Sequence, residues 1–288
     1  MHGERHLMRA LASVPALCLL VSLAACASPR LEGRAEAGIN ATPCGRAYQS
    51  ASTAQAAMGT RNPRLVRFFA AAAAGRRWTE VAATCAQRFD EGTLRAAQAQ
   101  YMAQALAASV GAAYAAPGTP RGGFDAVTGM DADSRTLRAV ILAEDRAGFA
   151  VEFLAARKSP YASLSISDDH KATASRLFSL ASAAIRGIVD PRQKVYSLSR
   201  LIAAPDTVID DSTGLRAPTM AAVEIGCARE EIAGVDDLAN KAQDTAGMPG
   251  DSTATRTNTL RALSRLAASR AALALACGYP SFDAALFE

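Results

Sequence analysis

The chain has 288 residues, of which half are hydrophobic but only 6% are aromatic, and its formal net charge at pH 7 is +4. Much of the apolar content is alanine, a strong helix former, so the composition predicts an all-α protein. The charge surplus is small, without a basic run, and aromatic residues are few, which argues against a nucleic-acid-binding role.

The first 25 residues have the organisation of a bacterial export signal. Arg5 and Arg9 form a basic start, and an apolar stretch from residues 10 to 25 leads to Cys26. That stretch is too short for a membrane span. The tetrapeptide Leu-Ala-Ala-Cys that ends at Cys26 resembles a bacterial lipobox, in which the cysteine becomes the first mature residue and carries the lipid. The alternative is an ordinary secretory signal in which Cys26 is incidental.

Lipidation at Cys26, with palmitate among the acyl groups, would place the mature protein on the extracytoplasmic face of the cell membrane. Removal of the signal peptide at residues 1–25 takes away two arginines and one glutamate, so the net charge falls from +4 to +3. The expected partners are the membrane, through the lipid, and a protein of the cell envelope. No nucleic acid is expected as a partner.

Four further cysteines, an even number, lie in a chain that the signal directs to an oxidising compartment, and this favours two disulfides. Sequence proximity favours Cys44 with Cys85 and Cys227 with Cys277 among the three connectivities. Four reduced, buried cysteines are the alternative. None has the spacing of a redox or zinc motif.

The first part of the mature chain is interpreted as a flexible tether at residues 26–43, followed by a small helical unit at residues 44–116. Trp78 and the Phe68-Phe69 pair are interpreted as its core. The sequence APGTPRGG then marks a linker at residues 117–130. Glycine and proline punctuation divides the small unit into four predicted helices, at residues 45–58, 63–73, 79–89 and 93–115.

Residues 131–288 contain four long helical patterns and one extended connection. Asp131 or Asp133 can cap the first helix. Because the long connection lies between the second pattern and the third, the arrangement predicts a ferritin-like four-helix bundle with one long crossover. The predicted long helices span residues 131–158, 167–186, 219–243 and 254–277, with a shorter helix at 191–203 and the extended connection at 205–218.

Glu144 interrupts the apolar stripe of the first long helix. Helical spacing places it on one face with Leu137, Ile141 and Val151, where core contacts are expected. A buried acid needs a hydrogen-bonding or charged partner. Arg265 or Arg270, from the last helix, is the expected partner.

Four segments of this region resemble the ferritin-like domain of unknown function found in actinobacterial lipoproteins. The resemblance covers roughly residues 131–282 and implies a ferritin-type bundle with no established activity. Members commonly have an acid followed by histidine in the first helix, where this chain has Asp145. The matching segments are LRAVILAEDRAGFAVEFLAAR at residues 137–157, His170 near the start of the second helix, VEIGCAREE around Glu224, and the closing RTNTLRALSRLAASRAALALACGYPSF.

The obvious extension of this resemblance, a bound metal pair, does not match the residues. Di-iron carboxylate sites need two Glu-x-x-His motifs, whereas the mature chain has His170 as its single histidine and no such motif. The alternative is a single metal held by Glu144, His170 and Glu224, which lie on three helices. His170 also follows Asp168 and Asp169, a pattern typical of a capped and solvent-exposed helix start.

The sequence therefore favours a non-catalytic, lipid-anchored scaffold or partner-binding lipoprotein, without a cofactor or a metal. A metal- or small-ligand-binding ferritin-like protein is the alternative. No GxSxG elbow or phosphate-binding glycine loop is present. Glu152 gives a weak likeness to helical peptidoglycan lyases, but the glycine-rich stretch those enzymes have downstream is missing.

Overall fold

A computed structural model of the protein describes residues 33, 42–115, 127–244 and 251–280. The predicted signal peptide, the lipidation site at Cys26 and most of the predicted tether lie outside these residues. The described residues from Thr42 onward belong to one compact unit. None of the helices in the described part of the chain combines the length and the apolar composition that a membrane span requires.

The described residues form eight α-helices and one short hairpin, which confirms the all-α class. The helices are α1 (Pro43–Ala57), α2 (Arg64–Thr84), α3 (Phe89–Val110), α4 (Ser134–Ala156), α5 (Leu164–Ala184), α6 (Ser199–Ala203), α7 (Thr219–Asp244) and α8 (Asp251–Ala276), and the strands β1 (Thr207–Ile209) and β2 (Arg216–Pro218) lie between α6 and α7.

The described part of the chain before the predicted linker has three long helices and not the predicted four. The prediction treated two glycines as helix ends, but both lie inside helices. Gly75 lies inside α2 and Gly92 lies inside α3. A Cβ at position 92 would lie 2.6 Å from the backbone nitrogen of Ala82 and 2.9 Å from the carbonyl oxygen of Trp78. Glycine at this position therefore allows α3 to approach α2 closely.

The core of this part is held by the predicted disulfide and by Trp78. Cys44 and Cys85 are bonded, which joins the first turn of α1 to the residue that follows α2. Trp78 is buried, as predicted, and its indole N–H donates to Gln55 Oε1 at 3.2 Å. Phe68 is buried as well, but Phe69 is 61% exposed, so its assignment to the core is wrong.

The four long helices of the second half are α4, α5, α7 and α8, at close to the predicted positions. Asp133, one of the two predicted caps, accepts a hydrogen bond from the backbone N–H of Thr136 at 2.8 Å. Helix α5 begins earlier than predicted, because Ser163 caps it by accepting from the N–H of Ile166. His170 therefore lies in the second turn of α5.

The connection between α5 and α7 is less helical than predicted. The helix predicted at residues 191–203 is limited to its last five residues, α6. At the start of the predicted segment, backbone N–H groups donate to acidic side chains: Arg192 to Asp190, and Gln193 to Asp145. Such bonds compete with helix formation. The extended segment at residues 205–218 contains the antiparallel hairpin of β1 and β2, in which Val208 is paired with Ala217.

The packing order places α4 between α5 and α7, while α8 contacts α7 on one side and α2 and α3 on the other. The described helices before and after the predicted linker share one hydrophobic core cluster. Buried Thr93 of α3 also donates a hydrogen bond to Ser264 of α8 at 2.9 Å. The predicted small unit and the four long helices thus pack together within the compact unit.

Candidate functional site: a buried charge network

Four charged or ionisable side chains meet between α4, α5, α7 and α8, and each helix contributes one of them. Glu144, His170 and Glu224 have no exposed surface, and Arg270 is 1% exposed. Burial of four such groups costs several kcal/mol per ion unless the groups satisfy one another. Their mutual contacts therefore decide whether the core is stable.

Arg270 forms a two-pronged contact with Glu144. The guanidinium Nε donates to Glu144 Oε1 at 2.8 Å, and Nη2 donates to Oε2 at 2.7 Å. Parallel hydrogen bonds of this kind are the strongest arrangement open to an arginine and a carboxylate. The structure therefore identifies Arg270, not the exposed Arg265, as the partner predicted for Glu144.

His170 bridges the two carboxylates. Its Nδ1 lies 2.6 Å from Glu144 Oε2, and its Nε2 lies 3.0 Å from Glu224 Oε1. Ionised carboxylates only accept hydrogen bonds, so both ring nitrogens must donate, and only the imidazolium cation has both protons. Burial opposes this charge, but the negative charges of Glu224 and Glu144 raise the pKa of His170 to about 9.

The network is electrically balanced. Burial alone would raise the pKa of Glu144, but the positive charges of Arg270 and His170, with their hydrogen bonds, lower it to about 2. Burial would likewise lower the pKa of Arg270, yet the charges of Glu144 and Glu224 raise it above its ordinary value. Two cations and two anions therefore lie together with no net charge.

Gly148 explains how the imidazole reaches this position. A Cβ on residue 148 of α4 would lie 3.1 Å from His170 Cβ and 3.2 Å from the carbonyl oxygen of Ser167. The hydroxyl of Ser167 donates to the Gly148 carbonyl oxygen at 2.8 Å, which fixes the crossing of the two helices. Glycine on α4 thus brings α5 close enough for His170 to contact Glu144.

Glu231 and Cys227 of α7 lie beside the network. Burial, then the charge of Glu144 and a hydrogen bond with it, raises the pKa of Glu231 well above its usual range. Among the described residues, no donor reaches either oxygen of Glu231 or Oε2 of Glu224. A protonated Glu231 accounts for its own carboxyl group, because its O–H can donate to Glu144, whereas Oε2 of Glu224 keeps no partner among the described residues. Burial raises the pKa of the Cys227 thiol in the same way.

The structure tests the predicted burial of the network residues and the predicted second disulfide. Glu144, His170 and Glu224 are buried and close together, as the sequence indicated for an inward-facing group. The interpretation of His170 as an exposed capping residue is wrong. The prediction of a second disulfide is wrong too, because Cys227 and Cys277 are both free thiols. Cys227 packs against Ala143 and Ala147 of α4.

Two other acids of α4 are positioned away from the network. The Asp145 carboxylate accepts a hydrogen bond from the Tyr196 hydroxyl at 2.5 Å and so holds the connection between α5 and α6. Glu152 forms an ion pair with Lys171, and its side chain is 51% exposed. Neither contact joins these acids to the buried histidine.

The residues present do not fit a ferritin-type metal pair. Both oxygens of Glu144 bind Arg270, and both nitrogens of His170 contact carboxylates. One set of potential donor atoms, from Glu144, His170 and Cys227, does lie within 4.8 Å of one another. A metal there would have to remove a proton from His170 and from Cys227, and it would face the charge of Arg270.

Comparison of the chain with models of protein families, with curated proteins and with solved structures finds no match. The resemblance to the ferritin-like domain of actinobacterial lipoproteins therefore stays a prediction from the sequence motifs.

Glu231→Gln tests the protonation of this side chain. We expect the variant to be more stable than the wild type at neutral pH, because glutamine needs no proton uptake and its amide can donate to Glu144. Urea unfolding at pH 7 measures the difference. Glu230→Gln, at an exposed position in a surface ion pair with Arg146, is the matched control, and its free energy of unfolding should change by less than about 0.5 kcal/mol. A loss of stability in Glu231→Gln would contradict the assignment.

Proposed function

We propose that the protein is a lipid-anchored extracytoplasmic protein in which a ferritin-like four-helix bundle serves as a non-catalytic scaffold for a partner in the cell envelope. The observation that carries this proposal is the closed network of Glu144, His170, Glu224 and Arg270. Its charges balance internally, both oxygens of Glu144 and both ring nitrogens of His170 have partners within it, and its side chains have almost no exposed surface. A group without solvent access cannot exchange protons with an external substrate.

The ferritin-like arrangement is supported by the order of the helices. Helices α4 and α5 follow each other closely, as do α7 and α8, and the 34 residues between Ala184 and Thr219 form the one long connection. In ferritin-like proteins, inward acids from such helices hold metal cations. Here the guanidinium of Arg270 and the imidazolium of His170 take the place of the metal cations. The inward acids Glu144 and Glu224 therefore stabilise the helix packing and bind no metal.

The anchor is tested by expressing the full chain in a bacterial host that processes lipoproteins, beside a Cys26→Ala variant. The wild type should fractionate with membranes, and mass spectrometry should find an acylated N-terminal residue at Cys26. Cys26→Ala should lose both properties. A wild type that is released into the soluble extracytoplasmic fraction without a lipid would overturn the proposed anchor.

A second candidate is a protein that binds one transition metal ion through Glu144, His170 and Cys227, and their donor atoms within 4.8 Å of one another favour it. Elemental analysis of the purified protein and a thermal shift with Zn(II), Fe(II) or Mn(II) distinguish the two. Bound metal near one ion per chain, lost in Cys227→Ala, would replace the scaffold proposal. For the scaffold we expect neither stoichiometric metal nor a thermal shift.

A further inference from the structure

We infer that the start of α2 is a membrane-contact surface that binds anionic lipid headgroups and inserts apolar side chains between them. This α2 surface patch consists of Arg61, Arg64, Leu65, Val66 and Phe69. Leu65 is 53% exposed, Val66 47% and Phe69 61%. The helical spacing of positions 65, 66 and 69 places the three side chains on one side of the first turns of α2.

The exposed side of α2 is separate from its core-facing side. Phe68 points inward and packs with Leu106 and Ala107 of α3, with Tyr114 at its edge. Phe69 contacts the ring of Phe68, at 5.3 Å between centroids, and is otherwise turned to solvent. Removal of the exposed apolar groups would therefore leave the core contacts of Phe68 in place.

The surroundings of the patch are basic. Residues 37–79 contain six arginines and no acidic residue or lysine, so this segment has a formal charge of +6 in a chain whose total is +4. Arg61, Arg64, Arg76 and Arg77 are all exposed. Among the described residues, no ion pair engages Arg61 or Arg64, so both guanidinium groups are free to meet anionic phosphates.

Exposed apolar side chains beside arginines that pair with no acid of the described residues favour a bilayer surface over a protein as the binding partner of the patch. Apolar side chains on a helix surface, flanked by arginines, are typical of segments that lie in the interfacial region, and each arginine near an anionic surface adds attraction. The basic and apolar patch adds a second contact to the lipid proposed at Cys26 and would hold the folded unit itself against the bilayer.

The length of the tether is compatible with simultaneous contact, a step that rests on the proposed anchor at Cys26. The fifteen residues 27–41 can span up to about 50 Å when extended. Helix α1 lies between the end of this tether and the turn before the patch, and its 15 residues are about 22 Å long. The lipid and the α2 surface patch can therefore reach the same membrane.

The test uses residues 42–288, the compact unit with its own core, so that no lipid contributes. Sedimentation with vesicles of phosphatidylcholine, with or without phosphatidylglycerol, measures partitioning. Binding should require phosphatidylglycerol and weaken as salt rises. Leu65→Ser with Phe69→Ser should weaken it by about tenfold or more, and Arg61→Glu with Arg64→Glu should do the same.

The matched control is Val195→Ser with Ile202→Ser, which removes two side chains that are 71% and 57% exposed in the connection between α5 and β1. It should change partitioning by less than about twofold. Absence of binding to both kinds of vesicle, or equal losses in control and patch variants, would overturn the proposal. So would concentration-dependent dimers that Phe69→Ser abolishes, since the patch would then bind a second copy. Because this chain lacks Cys26, none of these results bears on the anchor.

Discussion

Arg270→Met is expected to destabilise the protein by about 3–5 kcal/mol, the typical cost of removing one member of a buried ion pair. Methionine has a similar volume, so the loss reports the charge and not a cavity. Glu144 would keep His170 as its only cation, and the network would carry a net charge of −1 inside the core. Urea unfolding near pH 6 measures the effect.

The matched control is Arg265→Met, on the same helix but exposed. It should change the free energy of unfolding by less than about 0.5 kcal/mol. An equal loss in the two variants would show that the methionine, and not the broken pair, is responsible.

Glu144→Leu combined with Arg270→Met completes a double-mutant cycle. The double variant removes one anion and one cation, so the remaining pair of His170 and Glu224 is again neutral, and the double variant should lose less stability than the two single variants together, although the Nδ1–H of His170 loses its acceptor. The expected coupling between the two positions is about 2–3 kcal/mol, at the upper end for contacting residues. Losses that simply add would mean that Glu144 does not depend on Arg270.

Most of the helices could be predicted from the sequence because their signals are local. Asp133 and the apolar stripe of α4 define that helix from its own residues, and the same is true of α7 and α8. Gly75 and Gly92 were misinterpreted because the reason for a glycine can lie in another helix. Residue 92 must be small because Trp78 and Ala82 approach it, and nothing within α3 reveals this.

The buried network could be predicted only in part. Glu144 stands on an apolar stripe, which identifies a buried acid that needs a partner. Arg270 lies one heptad after Leu263 on the inner side of α8, so the helical period could have selected it over Arg265. The burial of His170 depends on Gly148 of the preceding helix, whereas the neighbouring Asp168 and Asp169 give a local signal for exposure. Similarly, an even number of cysteines does not reveal which thiols face each other, and Cys227 proved to face α4.

The stability of the protein should be greatest in acidic solution near pH 4.5 and should fall as pH rises, most steeply between about 6.5 and 9. The pKa of His170 is raised from an ordinary 6.5 to about 9 in the folded state. Its contribution is therefore complete below pH 6.5 and is lost as pH rises through 9, a loss of about 3 kcal/mol from a shift of this size. Retention of a proton by Glu231 adds to this decline, because the unfolded chain releases that proton above its usual pKa.

The acid side of the profile has the opposite sign. The pKa of Glu144 is lowered from 4.5 to about 2, so its contribution is present above pH 4.5 and is lost as pH falls through 2. Arg270 stays charged across this range, and burial raises the pKa of Cys227 and Cys277 above their usual values, so the thiols affect stability only at high pH. Together these groups place the maximum near pH 4.5, where the contribution of Glu144 is complete and the losses from Glu231 and then His170 have not yet developed.

Two measurements check the profile on residues 42–288, in which His170 is the single histidine. The NMR shifts of its ring should titrate with a midpoint near 9, while urea unfolding at constant ionic strength should show the decline above pH 6.5. His170→Gln removes the imidazolium, so it should be less stable than the wild type at pH 6 and should show a shallower decline, due to Glu231 alone. If the ring titrates near 6.5, or the variant declines as steeply as the wild type, His170 is neutral and the four-residue network is not balanced by it. The bridge from Glu144 to Glu224 would then need a different donor, because a neutral imidazole can donate to only one of the two carboxylates.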